Sequence, residues 1–423
     1  MLIIKISVII LNFTDYFRWE ENLMKIGERH YRSIWQDEDK RQAVHVIDQR
    51  RLPFHFEVIS LRSAGDVYDA IRDMAVRGAP LIGAAAAWGV YLSFMEHAGG
   101  PEKHGGGDRG RGPEKHGGGD RGRGPEKHGD GDSGRGPEMH SGTEQRPVAD
   151  VYDSVMSDAE RIKSARPTAV NLSWAVDYMT GVLKNFPDAE VLRRAAQGLC
   201  DEEAERSRLI GEYGLPLIEE ISSRKGGAAV NILTHCNAGW LACVDYGTAL
   251  APVYLAHDRG ISVHVWVDET RPRNQGSRLT AWELMNHGVP CTLITDNAGG
   301  HLMQNGMVDI VLVGCDRATA SGDVANKTGT YLKALAAYDN GVPFYSALPV
   351  STFDLSVDRP EQIEIEERDA GEVRTIDGIA IAPEGVRVSN YGFDVTPARL
   401  ITGLITDRGI CRADKESVLK TVS

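Results

Sequence analysis

The sequence predicts an α/β protein with a helical N-terminal domain that carries a small antiparallel sheet, and a C-terminal domain built on a doubly wound parallel sheet. Three observations predict this class. Short apolar segments alternate with helical stretches throughout the second half of the chain. In the first half, short alternating segments are followed by helical patterns. The 423 residues, of which 42% are hydrophobic and 25% charged, suffice for two folded domains.

The first 23 residues form a leader ahead of the predicted N-terminal domain, which we place at 24–205. Residues 1–13 are apolar, but Lys5 interrupts them and no small-residue cleavage site follows. We therefore expect a disordered leader, or translation that starts at Met24, rather than secretion. Six cysteines without CxxC spacing are typical of reduced intracellular thiols, and no apolar run is long enough to span a membrane. These observations predict a cytoplasmic protein.

The N-terminal domain begins with the predicted sheet and continues as helices. The three alternating segments lie at 30–35, 43–48 and 54–60. Ser63 is the predicted N-cap of a helix over 66–76. Residues 81–92 are rich in alanine and predict a buried helix that packs closely against its neighbours.

Two arginines of this domain are candidate phosphate ligands. Arg77 precedes Gly-Ala-Pro, a tight turn that faces the N-terminus of the next helix, where a guanidinium can clamp a phosphate. Arg166 lies in an Arg-Pro turn before another helix N-terminus and is a second candidate for binding a phosphate or a hydroxyl group. The alternative for Arg77 is that it caps the preceding helix.

A repetitive insertion, which we place at 97–147, interrupts the helices. Residues 100–135 are three tandem copies of a twelve-residue unit, and a decayed fourth copy begins at Gly136. The unit is rich in glycine, proline and charged residues and offers no apolar side chain to a core. We expect a disordered surface loop that replaces a short link between two helices and has no catalytic role.

The C-terminal domain, which we place at 206–423, is reached through a long charged amphipathic helix from 188 to about 214. Five apolar segments are typical of parallel strands, at 228–234, 261–267, 291–295, 309–313 and 343–347. No GxGxxG follows the first strand, so a dinucleotide cofactor is disfavoured. The net charge of −13 argues against a nucleic-acid partner, although a local basic pocket can still hold a phosphate.

Polar groups follow the first four of these strands, at the edge where open α/β sheets bind ligands. The segments are Thr234-His-Cys-Asn-Ala-Gly, Asp268-Glu-Thr-Arg-Pro-Arg-Asn-Gln-Gly, Asp296-Asn-Ala and Gly314-Cys-Asp-Arg. Cys236, at a strand tip beside a helix N-terminus, can have a lowered pKa and act as a thiolate or base. Taken alone, Cys236 is more typical of a buried small hydrophobic residue. Four polar tips in succession predict an active site, and therefore an enzyme.

The fourth strand delivers Asp316 and Arg317 at its carboxyl end. A glycine-containing loop then leads to Asn326-Lys-Thr-Gly and a helix over 331–338. A carboxylate at a strand tip, with a lysine ahead of the next helix, suits an anionic substrate. The alternative is a structural ion pair between Asp316 and Arg317, with Lys327 as a solvated loop charge.

An ordered set of motifs carries a resemblance to one family. The motifs are Arg77-Gly-Ala-Pro, Thr234-His-Cys-Asn-Ala-Gly, Asp268-Glu-Thr-Arg-Pro, Gln275-Gly-Ser-Arg-Leu-Thr, Gly314-Cys-Asp-Arg, Asn326-Lys-Thr-Gly-Thr and Asn390-Tyr-Gly-Phe-Asp-Val-Thr-Pro. The chain resembles the methylthioribose-1-phosphate isomerase family, a methionine-salvage branch of the superfamily that includes the regulatory subunits of translation initiation factor 2B. The match runs from about 24 to about 412 and excludes the leader and the insertion.

The resemblance implies a Rossmann-like C-terminal domain, a homodimer, and an aldose–ketose isomerase that converts 5-methylthioribose 1-phosphate to 5-methylthioribulose 1-phosphate without a cofactor or a metal. It implies that Asp316 donates a proton and that Cys236 takes part in catalysis. The substrate-binding residues that it implies are Arg77, Gly78, Ala79, Arg166, Gln275, Asn326 and Lys327. Cys315 lies where the family often has alanine, and we assign it no role.

Two alternatives stay open. One is a related sugar-1-phosphate isomerase that acts on 5-deoxyribose 1-phosphate or ribose 1,5-bisphosphate. The pocket at C5 decides between these substrates, because a thioether needs an apolar wall and a second phosphate needs cations. The other alternative is a non-catalytic regulatory subunit of the translation-factor type. The presence of both Cys236 and Asp316 in their motifs speaks against it, since a scaffold has no chemical need for either.

Overall fold

The computed structural model describes residues 24–423 except 28, 38, 100–147 and 168. The leader at 1–23 and nearly all of the repetitive insertion lie outside the described residues, so the predictions made for them stay predictions. Within the described ranges, no helix combines the length and the apolar character needed to cross a membrane.

The N-terminal part opens with short antiparallel strands. Its strands are β1 (Lys25–Ile26), β2 (Arg29–His30), β3 (Ile34–Trp35), β4 (Val44–Ile47) and β5 (Val58–Leu61). Strands β1 and β2 pair with each other, and β3, β4 and β5 form a three-stranded antiparallel sheet in which Val46 lies opposite Ile34 and Ile59. The predicted small antiparallel sheet is confirmed.

Five helices follow this sheet among the residues that the structure describes. They are α1 (Ala64–Arg72), α2 (Ala79–His97), α3 (Val148–Ser164), α4 (Val170–Asn185) and α5 (Ala189–Arg224). Ser63 caps α1, as predicted, and the structure shows that it does so in a reciprocal capping box with Asp66. The helix ends before the predicted residue 76, because Met74 adopts a left-handed φ of 64°. Helix α2 is buried along most of its length, and its small side chains let the other helices approach closely.

Helix α5 is longer than the sequence predicts. It does not end near Gly214 but continues to Arg224 and contains Pro216. Gly214 does not end the helix but lets it pack closely against Pro252, because a Cβ at this position would lie 2.5 Å from Pro252 Cγ. The helix also runs without a break across the predicted domain boundary at 205–206, and the division into two domains stays a prediction.

The C-terminal part contains the remaining elements. Its strands are β6 (Val230–Thr234), β7 (Val263–Asp268), β8 (Cys291–Ile294), β9 (Ile310–Val313), β10 (Arg317–Thr319), β11 (Val324–Lys327), β12 (Phe344–Ala347), β13 (Phe353–Asp354), β14 (Thr375–Ile376), β15 (Ile379–Ala380), β16 (Phe393–Thr396), β17 (Gly403–Thr406) and β18 (Gly409–Cys411). Its helices are α6 (Ala251–Asp258), α7 (Ala281–His287), α8 (Ala298–Gln304), α9 (Thr330–Asp339), α10 (Gly371–Arg374) and α11 (Lys415–Val422).

The large sheet has the order β8-β7-β6-β9-β12-β17-β18. All neighbours are parallel except β17 and β18, so the parallel strands have the 3-2-1-4-5-6 order of a Rossmann sheet. One face packs on α5, α6 and α7, and the other on α8, α9 and α11. The five predicted strands and the doubly wound arrangement are confirmed. Strand β17 and the antiparallel edge strand β18 were not among the predicted strands.

A second sheet, of order β13-β10-β11-β16, replaces the loop that we expected after Arg317. Strands β10 and β11 form an antiparallel hairpin, with Ala318 opposite Val324. Its turn contains Gly322, whose φ of 89° favours glycine, and Asp323, whose backbone N–H donates to Thr319 Oγ1 at 3.0 Å. The prediction of a loop was wrong because turn residues dominate the local sequence, and because β11 also pairs with the distant strand β16.

Candidate active site

The candidate site is a cavity where the chain order of the sheet reverses, between the carboxyl ends of β6 and β9. Open α/β sheets bind their ligands at this switch point. The cavity measures about 610 Å³, counting the part open to solvent. All nine residues that the sequence singled out line it: Arg77, Gly78, Ala79, Arg166, Cys236, Gln275, Asp316, Asn326 and Lys327. The structure therefore brings the whole predicted set together, and their individual roles stay predictions.

Cys236 lies directly after β6 in a constrained backbone conformation. Its φ is 68°, its backbone N–H donates to Thr270 Oγ1 at 2.9 Å, and its carbonyl accepts from Thr280 Oγ1 at 2.7 Å. Its thiol donates to Gln275 Oε1 at 3.4 Å. A left-handed conformation in a residue other than glycine is often retained where it places a functional side chain. These contacts hold the thiol beside Gln275 at the cavity wall.

The protonation state of Cys236 differs from the expectation. Burial raises the pKa of this thiol above its ordinary value, although Lys327 and Arg77 act in the opposite direction. The expected lowering of the pKa was therefore wrong. The thiol, rather than the thiolate, is the dominant form of Cys236 at neutral pH.

Asp316 lies at the tip of β9, two residues after Gly314. Its backbone N–H donates to Ala325 O at 3.0 Å, which ties the residue to β11. Burial raises the pKa of the Asp316 carboxyl, and the cations Lys327 and Arg166 are foremost among the groups that lower it. Asp316 is thus a carboxyl group whose surroundings favour the protonated form. The alternative ion pair with Arg317 is not what the geometry shows, since Arg317 Nη1 lies 3.7 Å from Asp354 Oδ2.

Arg77 is buried and reaches across to the C-terminal part of the chain. Its Nε donates to Gln49 Oε1 at 3.0 Å and its Nη1 donates to Asn237 O at 3.0 Å. These partners exclude the alternative in which Arg77 caps the preceding helix. Nη2 is buried and has no hydrogen-bond partner among the residues that the structure describes. A buried donor of this kind is available to a ligand.

Gly78 shapes the backbone between Arg77 and the start of α2 at Ala79. Its φ is 95°, and a Cβ at this position would lie 2.3 Å from Ala242 O. Only glycine combines this conformation with this close approach. The N-terminus of α2 therefore opens toward the cavity beside the Arg77 side chain, where a helix end favours an anion.

Arg166 approaches the cavity from the turn before α4. Its Nη1 lies 3.3 Å from Met74 Sδ, and its Nη2 donates to Glu366 Oε2 at 3.5 Å. Its Nε is buried without a hydrogen-bond partner in the described part of the chain. A second guanidinium thus presents an uncommitted donor to the same cavity.

Lys327 and Asn326 end β11 and are both buried. Lys327 Nζ donates to Gly392 O at 2.8 Å and lies 4.8 Å from the centre of the Phe393 ring. Burial lowers the pKa of Lys327 to about 8. Asn326 Nδ2 donates to Thr330 Oγ1 at 3.0 Å, which fixes its amide at the start of α9. The alternative of Lys327 as a solvated loop charge is excluded by its burial.

Sequence reasoning missed a buried carboxylate that supports the site. Glu283 accepts from Asn237 Nδ2 at 3.0 Å, from Leu241 N at 2.9 Å and from Tyr254 Oη at 2.9 Å. Burial raises the pKa of Glu283 to about 6. Because Asn237 O accepts from Arg77, Glu283 holds the backbone that positions the Arg77 guanidinium. A glutamate inside an amphipathic helix gives no sequence signal for this role.

Three residues of the predicted polar strand tips, His235, Asp268 and Asp296, form a cluster next to Cys236. His235 Nδ1 lies 2.8 Å from Asp268 Oδ2, and its Nε2 donates to Thr328 O at 3.0 Å. Lys333 Nζ lies 2.9 Å from the same Asp268 oxygen. His235, Asp268 and Asp296 have a spacing that suits a metal ion. They do not fit that role, because Lys333 already supplies the positive charge and both ring nitrogens of His235 are engaged.

Arg368 and Phe393 also line the cavity, and neither was assigned to the site from the sequence. Both belong to the C-terminal part after β13, and Arg368 stacks over Phe393 with its guanidinium carbon 5.1 Å from the ring centre. The Glu-Glu-Arg-Asp run at 366–369 has the appearance of a solvated charged segment. Only its tertiary position brings Arg368 to the cavity.

The fold and the cavity define a Rossmann-type α/β protein with a cationic site for an anionic small molecule. The sequence model of the initiation factor 2 subunit family matches residues 139–413. The chain is 48% identical over 410 residues to a methylthioribose-1-phosphate isomerase of Desulfatibacillum aliphaticivorans, which covers 93% of this chain and 98% of the relative. The chain belongs to the initiation factor 2 subunit family and, within it, to the methylthioribose-1-phosphate isomerases.

Solved structures agree with this placement. The crystal structure of 5-methylthioribose 1-phosphate isomerase from Pyrococcus horikoshii has a TM-score of 0.75 at 33% identity, covering 94% of this chain and 96% of that chain. The structure described as the delta subunit of translation initiation factor eIF-2B from A. fulgidus has a TM-score of 0.71 at 35% identity, covering 93% and 99%. Isomerases and chains described as translation factors therefore share this fold, and the site chemistry must separate them.

Proposed function

We propose that the chain is an aldose–ketose isomerase that converts 5-methylthioribose 1-phosphate to 5-methylthioribulose 1-phosphate in methionine salvage. The observation that carries the proposal is Asp316, a half-buried carboxyl group with a raised pKa that shares one cavity with Cys236 and with several cations. A protonated acid beside a phosphate-binding site is what ring opening of a sugar 1-phosphate requires. The names of the similar proteins support the same assignment.

In this proposal, Arg77, Arg166 and Lys327 bind the phosphate dianion. Two observations support it: both arginines have a buried donor without a partner in the described structure, and all three cations line the cavity. Backbone N–H groups at Gly78 and Ala79, at the N-terminus of α2, offer further hydrogen bonds to the phosphate. Gln275 and Asn326 present side-chain amides that can bind the sugar hydroxyl groups.

Asp316 acts as the acid that opens the sugar ring. A phosphate on the anomeric oxygen prevents spontaneous opening, so an acid must protonate the ring oxygen. A bound phosphate dianion offsets the cations that lower the pKa of Asp316 in the free site. Substrate binding therefore shifts Asp316 further toward the protonated form that ring opening requires.

The hydrogen on C2 then moves to C1, and two routes are available. In an enediol-type route a base removes the C2 proton, and C1 is protonated afterwards. In a hydride route the C2 hydrogen moves to C1 with its electron pair, the C2 hydroxyl loses its proton, and C2 becomes the carbonyl carbon. The raised pKa of the Cys236 thiol favours the hydride route, because a neutral thiol cannot remove the C2 proton. Cys236 then orients the substrate at the wall that it shares with Gln275.

The hydride route predicts the fate of the transferred hydrogen. When the reaction is run in D₂O, we expect the ketose product to carry no solvent deuterium at C1, since a hydride never exchanges with water. Proton NMR of the C1 methylene group measures this directly. Deuterium at C1 in a substantial fraction of the product would show that a proton is transferred and would restore Cys236 as the base.

The lowered pKa of Lys327 predicts that substrate binding weakens at alkaline pH. Its pKa is lowered to about 8, so its positive charge is present below that pH and is lost as the pH rises through it. We expect kcat/KM, which reports ionisations of the free enzyme, to fall above about pH 8. The measurement is the pH profile of kcat/KM from 6 to 10, with circular dichroism to show that the protein stays folded. A profile that is flat to pH 10 would contradict this role of Lys327.

The test of the function is direct. Purified protein from Met24 onward is incubated with 5-methylthioribose 1-phosphate without added cofactor, and phosphorus and carbon NMR follow the ketose phosphate. Parallel incubations with 5-deoxyribose 1-phosphate and ribose 1,5-bisphosphate rank the substrates by kcat/KM. Turnover of none of the three by folded protein would reject the enzyme in favour of a regulatory subunit, a role that needs neither Asp316 nor Cys236.

The proposal extends to the assembly and the setting of the enzyme. We place it in the cytoplasm as a homodimer, with a catalytic domain at 206–423 and an N-terminal domain at 24–205 that contributes Arg77 and Arg166. The six cysteines are free in the structure, in keeping with a reducing compartment. Light scattering coupled to size exclusion tests the dimer.

A further inference from the structure

Arg368 lies at the cavity that holds the nine predicted residues, on the segment at 363–392 between β13 and β16. We propose that Arg368 is a substrate-binding residue: with Arg166 it forms a pair of guanidinium groups, joined by Glu366, that binds the phosphoryl group of the substrate. This inference rests on the proposed function for the identity of the substrate. It adds a residue that the sequence motifs do not contain.

The contacts of Glu366 hold the two guanidinium groups together. Arg368 donates to Glu366 Oε2 from Nε at 3.1 Å and from Nη2 at 3.0 Å. Arg166 Nη2 approaches the same oxygen at 3.5 Å. The Arg368 side chain is only 8% exposed and packs over the Phe393 ring. One carboxylate oxygen therefore holds two guanidinium groups next to each other at the cavity, and Arg368 Nη1 takes no part in these bonds to Glu366. Guanidinium N–H groups are well suited to bind phosphate oxygens.

The backbone around Arg368 is anchored on both sides. Arg368 N donates to Asn390 O at 2.8 Å, and Gly392 N donates to Glu366 O at 2.8 Å. Asn390 Nδ2 donates to Asp369 O at 2.8 Å. Because Gly392 O also accepts from Lys327 Nζ, the segment is tied to a predicted binding residue of the site. The position of the Arg368 guanidinium thus follows from ordered backbone contacts rather than from a free side chain.

A second set of contacts holds the segment at 363–392 near Glu372 and Val373. Arg271 Nη2 donates to Val373 O at 2.9 Å, and Arg273 Nε donates to Glu372 Oε1 at 3.0 Å. Both arginines follow β7, at the same edge of the sheet as Cys236 and Asp316. The segment that carries Arg368 is therefore held at two places, by Lys327 through Gly392 and by the residues after β7 through Glu372 and Val373.

The charges at the cavity need an anion. Of its described lining residues, Arg77, Arg166, Lys327 and Arg368 are cationic, and Asp316 is the acidic one. Burial and then Arg368 lower the pKa of Lys327, so these cations are close enough to repel each other. Glu366 offsets one charge only. A phosphate dianion relieves the remaining repulsion between Arg368 and the other cations of the cavity.

The test compares the wild type with Arg368→Gln, Arg368→Lys and the matched control Arg387→Gln, whose arginine is exposed on the same segment. We measure KM for 5-methylthioribose 1-phosphate and, by calorimetry, the Kd of inorganic phosphate, which needs no turnover. Arg368→Gln is expected to raise both about 10- to 100-fold, since it removes charge-assisted hydrogen bonds. Arg368→Lys is expected to lie between, because it keeps the charge but loses the fork. The control is expected to stay within about twofold of the wild type.

Each outcome decides the proposal. Values within about twofold of the wild type for Arg368→Gln, in both measurements, overturn it. If that variant does not fold, Arg368→Lys decides, since it keeps the alkyl stem and the charge, and an unchanged phosphate Kd then overturns the proposal. If the wild type does not convert the substrate, the proposed function fails by itself, and the phosphate Kd still tests the role of Arg368.

Discussion

Asp316→Asn is expected to abolish isomerisation while leaving substrate binding largely intact. An amide cannot give a proton to the ring oxygen, and loss of a general acid lowers kcat by about 10²- to 10⁴-fold. The amide is close in shape to the protonated carboxyl that burial favours at this position, so the cavity should keep its form. Turnover is measured by NMR and binding of 5-methylthioribose 1-phosphate by calorimetry.

The matched control for this experiment is Asp339→Asn, the same chemical change at an exposed position of α9. It is expected to behave as the wild type. Equal turnover in Asp316→Asn would remove Asp316 from the acid role. Loss of binding together with turnover would instead assign Asp316 to the shape of the site rather than to proton transfer.

Gly78→Ala is expected to damage both stability and activity. The alanine would have to hold a φ of 95°, and its Cβ would lie 2.3 Å from Ala242 O. A strained backbone of this kind costs about 1–3 kcal/mol, and overpacking adds about 1–3 kcal/mol. Relief of the overlap moves Arg77 and the N-terminus of α2 away from the phosphate position, so KM should rise as well. Urea denaturation and steady-state kinetics measure the two effects.

Gly198→Ala in α5 provides the matched control. A Cβ at Gly198 meets no atom within 4 Å, and alanine is the better helix former by about 0.5–1 kcal/mol. We expect this variant to be as active as the wild type and slightly more stable. If Gly78→Ala kept the stability and the KM of the wild type, the close approach to Ala242 would not constrain the site.

Much of the fold could be predicted from local patterns. Alternating and fully apolar segments located β3 to β5 and five strands of the large sheet, and Ser63 with Asp66 marked the start of α1. The local patterns did not predict the short strands β17 and β18 or the hairpin of β10 and β11. Strands of three or four residues carry little periodic signal of their own, and β17 and β11 also pair with the distant strands β12 and β16.

Some residues of the candidate site could likewise be predicted from the sequence, and others could not. Residues in motifs at strand tips, such as Cys236 and Asp316, could be found because parallel strands place their carboxyl ends at one edge. Arg368 and Glu283 could not be found in this way. One lies in a run that has the pattern of a solvated segment, and the other lies in an amphipathic helix.

The sequence by itself determined the order of the strands and helices along the chain, the edge of the sheet that carries the chemistry, and the residue types available there. Only the tertiary structure decided which of these groups share a cavity, that Arg368 joins them, and in which direction the pKa values move. The thiol of Cys236 shows the reason. Its pKa depends on the water removed around it and on charges brought close by distant parts of the chain. Desolvation and Coulomb energies are set by distances in space, which neighbouring residues in the sequence do not specify.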